Sequence, residues 1–195
     1  GFQATFGKNL NFILAPSVKS LAINGEVSIA SGESSTYTCT ATYTDGSIKL
    51  ITQPSAWTLT GGAYASVSSS GCVSTVPVSA NQTIVLRADY VEDVQVTDTK
   101  TITIRASKPS APLAVTAKSE SEQGISISWS VNMASAPALA YRIYRKAAEG
   151  VQILLATMGP DATGYMDRTA TPGVTYTYRI SAVNGAGEGP VSAAS

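Results

Sequence analysis

The clearest pattern in the sequence is an alternation of apolar and polar residues over residues 175–182. Such alternation is typical of a half-buried strand in an antiparallel sheet. Pro172-Gly173 precedes the pattern and Asn184-Gly185 follows it, and both dipeptides favour turns. The apolar residues that would share one face of this strand are Tyr176, Tyr178, Ile180 and Ala182.

The same pattern recurs in shorter runs over residues 18–105. Residues 36–43 alternate cleanly, with Tyr37, Cys39, Ala41 and Tyr43 on one face, and Asp45-Gly46 then gives a strong hairpin signal. Further short runs reach residues 83–90, 94–96 and 99–104. About seven short strands without helical periodicity predict a β-sandwich.

Residues 113–195 give a second series of strands. In residues 125–129, Ile125, Ile127 and Trp129 alternate with serines, which places Trp129 inward. Strands are also predicted at 113–117, 141–145, 153–157 and 164–167, followed by a short, weakly apolar final strand at 190–195. Such a strand leaves a sheet edge to protect.

These patterns predict an all-β chain of two tandem immunoglobulin-like antiparallel β-sandwiches. We assign residues 1–17 to an N-terminal leader or the end of a preceding module, 18–105 to the first sandwich, 106–112 to a linker and 113–195 to the second. Pro109 and Pro112 favour an extended linker, so we expect a semi-rigid, end-to-end joint.

Charge and composition exclude several classes of function. Lys plus Arg and Asp plus Glu both number 13, so the chain lacks the basic surface that nucleic acids or anionic membranes would attract. No apolar run is long enough to span a bilayer. The sequence contains no histidine, which removes Ser-His-Asp and Cys-His catalysis and most zinc chemistry.

Two groups of residues, one acidic and one aromatic, are candidate sites. The densest acidic group is Asp89, Glu92, Asp93 and Asp98, but it has no calcium-loop spacing and is more typical of a solvated hairpin corner. Most aromatic residues lie on predicted core faces, leaving Tyr144, Tyr64 and Tyr165 for a sugar-stacking surface. We therefore predict no enzyme and no catalytic, cofactor-binding or metal-binding residues.

Several of these segments resemble known families. Residues 34–47, Trp57, residues 64–73 and the closing strand at 98–104 resemble the bacterial immunoglobulin-like domains of group 2. From Pro109 onward, Trp129, Tyr141, Pro172-Gly173 with Tyr176, and residues 182–184 resemble a fibronectin type III domain. The second resemblance implies that Tyr176 is a tyrosine corner, with its hydroxyl bonded to the main chain.

The two cysteines are a candidate disulfide in a secreted sandwich of this kind. Alternation places Cys39 inward, whereas either Cys72 or Val73 would face the core. A bridge forms only if Cys72 points inward, and its loop would then stabilise the fold by about 3–4 kcal/mol. Neither thiol has a histidine to activate it as a nucleophile.

The resemblances imply an exported bacterial protein, located outside the cell or at its surface. We expect a monomeric, non-catalytic module that acts as a spacer or adhesion element, with a protein or polysaccharide as its partner. The alternative is a carbohydrate-binding accessory module of a secreted polysaccharide-degrading enzyme. In a bacterial protein, the glycosylation pattern at Asn81-Gln82-Thr83 is a chance match.

Overall fold

Short strands separated by turn residues make up the chain. The computed structural model describes residues 15–120 and 123–195, so residues 1–14 of the predicted leader lie outside the described part. No helix in the described part is long and apolar enough to cross a bilayer. The strands form two successive sandwiches, as the alternating pattern predicts.

The first sandwich contains ten strand segments arranged in three sheets. The sheets have the orders β1-β4-β5, β2-β10-β9-β6 and β3-β8-β7. The strands are β1 (Val18–Asn24), β2 (Ser28–Ala30), β3 (Ser34–Thr36), β4 (Thr38–Tyr43), β5 (Ile48–Ile51), β6 (Ala56–Thr60), β7 (Ala65–Val67), β8 (Cys72–Thr75), β9 (Gln82–Val91) and β10 (Gln95–Arg105).

Three predictions for the first sandwich need correction. Residues 36–43 are not one strand, because the chain changes sheets at Tyr37, where the backbone N–H donates to the Gly71 carbonyl at 2.9 Å. The strands predicted at 94–96 and 99–104 are one long strand, β10 (Gln95–Arg105), because residues 95–104 pair with β9 without interruption. The sandwich is also not purely antiparallel, because β2 pairs with β10 in parallel.

The second sandwich contains seven strands in two sheets, ordered β11-β12-β15 and β14-β13-β16-β17. The strands are β11 (Leu113–Glu120), β12 (Gly124–Ser130), β13 (Ala140–Ala147), β14 (Ile153–Met158), β15 (Gly164–Asp167), β16 (Tyr176–Asn184) and β17 (Gly187–Val191). The final strand therefore lies earlier than the predicted 190–195. The glycines in this stretch are typical of a strand end in the sequence, yet Gly187 pairs with Asn184 of β16.

Each sandwich has its own hydrophobic core. Tyr37, Cys39 and Ala41 lie in the first core, together with aliphatic residues of β1, β9 and β10. Trp129 and Tyr178 lie in the second. Inward-facing residues of the predicted strands supply both cores, because successive side chains of a strand point to opposite faces.

A buried ionic network joins the two sheets of the second sandwich. Asp167 on β15 is 0% exposed and accepts hydrogen bonds from Arg145 on β13 and Tyr178 on β16, both at 2.8 Å. Thr169 donates to the same carboxylate through its backbone N–H at 2.9 Å and its hydroxyl at 2.7 Å. A buried carboxylate needs such partners, since an unpaired charge is very costly away from water.

The guanidinium group of Arg145 also lies 4.7 Å from the centre of the Tyr176 ring. As predicted for a tyrosine corner, the Tyr176 hydroxyl bonds to the main chain, where it accepts a hydrogen bond from the Thr171 N–H at 3.3 Å. The network therefore extends from the sheet interface to the β15–β16 loop.

The two cysteines are free thiols, and the candidate bridge is absent from the structure. Val73 fills the core, whereas Cys72 is half-exposed. Cys72 pairs with Thr36 of β3, whereas Cys39 pairs with Ile23 of β1 and Ile51 of β5, so the two cysteines belong to different sheets. Burial and the charge of Asp98 raise the pKa of Cys39 to about 11.

We expect Asp167→Asn to destabilise the second sandwich by about 3 kcal/mol at pH 7, because Arg145 would lose its charged partner in a mostly buried site. Burial raises the pKa of Asp167, but the hydrogen bonds from Thr169, Tyr178 and Arg145 outweigh burial and leave the pKa below its usual value. The stabilisation is therefore present above pH 4 and is lost as the pH falls through the folded-state pKa.

Urea unfolding followed by Trp129 fluorescence, with Trp57 replaced by Phe in every protein, measures both effects. Glu149→Gln is the control, because Glu149 is exposed in the β13–β14 turn. Equal stability of Asp167→Asn and the parent, or an unchanged pH dependence, would contradict the role assigned to Asp167.

We also expect a thiol reagent such as Ellman's reagent to modify one cysteine of the folded protein at pH 8 and two after unfolding. Cys72 is the reactive residue, because Cys39 is buried and its raised pKa keeps the thiol protonated. If the unfolded, unreduced protein had no reactive thiol, the bridge would be present after all.

Candidate functional site at the junction of the two sandwiches

The side chain of Asn184, at the end of β16, organises the junction between the sandwiches. It is only 6% exposed, and its Nδ2 donates to the carbonyl of Ser107 in the linker at 2.8 Å and to that of Pro137 at 3.3 Å. Its Oδ1 accepts from the Ala186 N–H at 2.9 Å. A carboxamide suits this position because it combines two donor hydrogens with an acceptor.

The next residue, Gly185, contacts the first sandwich directly. Its N–H donates to the Ser79 carbonyl, in the β8–β9 loop, at 2.7 Å. A Cβ at position 185 would lie 2.7 Å from the Cβ of Ala80 and 3.0 Å from the Ser79 oxygen. Glycine therefore permits the close approach of the two sandwiches at this point.

The linker is held along most of its length. The Ala106 N–H donates to Oδ1 of Asn81 at 2.9 Å, and the Ser110 N–H donates to Oγ of Ser135 at 2.6 Å. Pro109 is buried, and its carbonyl oxygen lies so close to Gly189 that a Cβ there would be 1.9 Å away. Bonds to both sandwiches leave little freedom for the linker to act as a hinge.

The four predicted acidic candidates occupy separate positions in the first sandwich. Asp89 accepts hydrogen bonds from Arg87 at 2.7 Å and Thr97 at 2.6 Å. Arg87, followed by Thr97, lowers the pKa of Asp89 to about 2. This carboxylate therefore belongs to an ion pair on the β9–β10 hairpin.

The other three acids connect this hairpin to the facing sheet. Asp98 accepts from the Ile23 N–H at 2.7 Å and Asp93 from the Val18 N–H at 3.2 Å, so both satisfy donors of β1. Glu92 accepts from the hydroxyl of Tyr43 and has a lowered pKa as a result. Within residues 15–120 and 123–195, no three potential metal ligands converge.

The three candidate aromatic residues also separate. Tyr165 packs against the second core. The Tyr144 hydroxyl donates to Glu188, which also accepts from Ser181 and Arg142. Tyr64 is exposed, but it lies in the first sandwich.

Sequence reasoning identified Asn184-Gly185 only as a turn and Asn81 only as a chance glycosylation pattern. Both asparagines hold the linker. The only sequence feature that pointed to an ordered junction was the pair of linker prolines. The prolines predicted a semi-rigid joint, but they could not show which residues contact the linker. Long-range hydrogen bonds of this kind have no local sequence signature.

Comparison with known proteins gives one family match, which lies in the second sandwich. The fibronectin type III domain family matches residues 110–195, and no curated protein matches the chain. A solved Fn3-like protein from Clostridium thermocellum is 27% identical, and the match covers 45% of this chain and 90% of that protein with a TM-score of 0.39.

A two-domain fibronectin type III segment of chicken tenascin is similar in fold. It is 15% identical, and the match covers 88% of this chain and 95% of the segment with a TM-score of 0.54. The resemblance of residues 18–105 to bacterial immunoglobulin-like domains of group 2 stays a prediction. Residues 110–195, whose two sheets and tyrosine corner are described above, form a fibronectin type III domain.

Proposed function

We propose that the chain is a non-catalytic spacer or adhesion element of a larger bacterial protein that is secreted or displayed at the cell surface. Fibronectin type III modules are generally structural or adhesive, which supports the proposal of a spacer or adhesion element. The observation that carries the proposal is the anchored junction, where Asn184 and Gly185 join the second sandwich to the linker and the first sandwich.

A spacer must keep a defined geometry between the parts it separates. Linker hydrogen bonds at Ala106, Ser107 and Ser110, together with the burial of Pro109, serve this purpose. The partner in this proposal is a protein or polysaccharide at the cell surface, and the chain acts as a monomer. The balanced charge gives no support to a nucleic-acid partner.

No observation favours the alternative of a carbohydrate-binding accessory module. Such a module would present neighbouring aromatic rings on one sheet face. Tyr64 and Tyr144 lie in different sandwiches, and the hydroxyl of Tyr144 is bound to Glu188. The only aromatic pair found in the described part of the chain, Trp129 with Tyr141, is buried.

Gly185→Ala tests whether this junction fixes the geometry of the chain. The added methyl group would meet Ala80 and Ser79 and separate the sandwiches, although it touches neither core. We expect small-angle X-ray scattering to show a wider distribution of interdomain distances for the variant than for the parent. Each sandwich should keep its stability within about 0.5 kcal/mol, as for surface substitutions.

Gly62→Ala is the matched control, because nothing lies within 4 Å of the added methyl group. We expect its scattering to equal that of the parent protein. A parent that already samples many interdomain distances, or a Gly185→Ala variant that scatters like the control, would argue against a fixed spacer.

A further inference from the structure

A cavity of about 390 Å³ lies beside the junction, between the linker, the β12–β13 loop and the β14–β15 loop. This volume falls within the range of about 300–1,000 Å³ that is usual for ligand sites. Its walls are mainly apolar, and they include Pro77 from the first sandwich, Pro109 and Pro112 from the linker, and Val131 and Met133 from the second sandwich.

Tyr141 presents an unpartnered hydroxyl group to this cavity. The residue is 2% exposed, it lines the cavity, and its ring packs against Trp129 at a centroid distance of 5.6 Å. The buried hydroxyl groups of Tyr37 and Tyr178 donate at 2.9 and 2.8 Å, whereas that of Tyr141 has no hydrogen-bond partner among the described residues. In the described part of the chain, the buried side-chain polar atoms without a partner are the indole nitrogens of Trp57 and Trp129, and the Tyr141 hydroxyl group is not among them. The hydroxyl group is therefore open to solvent, and a ligand in the cavity can reach it.

The cavity also carries a single negative charge. Asp161, on the β14–β15 loop, is the one charged residue that the described part of the chain contributes to the wall. It is exposed and forms no ion pair within the described ranges. Burial, followed by the charge of Asp161, raises the pKa of Tyr141, so its hydroxyl group stays protonated and can donate.

The apolar wall of the cavity is open to solvent at Val131 and Met133. Met133 is 90% exposed, and Val131 beside it is also exposed. A small molecule in the cavity would cover only part of these two side chains, whereas an extended peptide that runs out of the cavity would cover more of their surface. The peptide backbone also supplies a carbonyl oxygen that can accept a hydrogen bond from Tyr141.

We propose that this cavity binds an extended peptide segment of a partner protein, in which an apolar side chain neighbours a Lys or Arg. The apolar side chain enters the cavity between the prolines, a peptide carbonyl accepts from Tyr141, and the basic side chain pairs with Asp161. Peptide binding would be a function in addition to that of a spacer. The contacts that recognise the peptide do not require the chain to act as a spacer.

The test is to select binders from a displayed library of random decapeptides against the complete chain and to measure their affinities by fluorescence anisotropy. We expect the enriched peptides to combine an apolar residue with Lys or Arg. Their affinity should fall about tenfold in Asp161→Asn and about fivefold in Tyr141→Phe, as expected for loss of a charged and a neutral hydrogen bond.

Glu149→Gln is the matched control, since it removes one exposed carboxylate about 20 Å along β13 from the cavity. Its affinity should equal that of the parent. Tyr141→Phe should unfold at the same urea concentration as the parent, because the lost hydroxyl group has no partner in the fold, and Asp161→Asn changes only an exposed residue.

Failure to enrich any peptide would overturn the proposal, as would peptides that bind Asp161→Asn as tightly as the parent. Binding of n-hexylamine that depends on Asp161, without enrichment of peptides, would show a small-molecule site and contradict a peptide partner. None of these outcomes bears on the scattering of Gly185→Ala, so the site and the spacer can fail separately.

Discussion

The hydrogen bonds of Asn184 and Gly185 determine how the two sandwiches act together. Asn184 ties the end of β16 to the linker carbonyl of Ser107, and Gly185 ties the adjoining turn to Ser79 of the first sandwich. The first contact fixes the linker and the second fixes the neighbouring sandwich. Without them, the direct contact of the second sandwich with the β8–β9 loop would be lost, and the linker would still be held by Asn81, Ser135 and the burial of Pro109.

Carboxylates fasten the sheets within each sandwich, although charged residues are only 13% of the chain. In the second sandwich, Asp167 connects β15 to Arg145 and Tyr178 across the core. In the first, Asp98 and Asp93 accept backbone hydrogens of β1. The acidic residues named here therefore have structural partners within the fold.

Alternation in the sequence was enough to predict the all-β class and most inward-facing residues, because strand periodicity is local. It could not show the sheet change at Tyr37, which depends on a hydrogen bond to Gly71, or the parallel pairing of β2. The final strand was predicted at 190–195 and lies at Gly187–Val191, because its glycines carry no strand pattern of their own. The candidate site was harder still to predict, since Asn184 has a typical turn pattern and Tyr141 a typical core pattern. Only long-range packing shows that Asn184 bonds to the linker and that Tyr141 lines the cavity.

Nitrogen-15 relaxation of backbone amides in the unmodified chain tests the fixed junction most directly. The rotational diffusion of each sandwich can be derived separately from its own amide groups. A rigid junction predicts that one elongated diffusion tensor fits both sandwiches, with linker amides such as Ala106 and Ser110 as ordered as strand amides. Two separate tensors with shorter correlation times, or mobile linker amides on the nanosecond scale, would contradict the account.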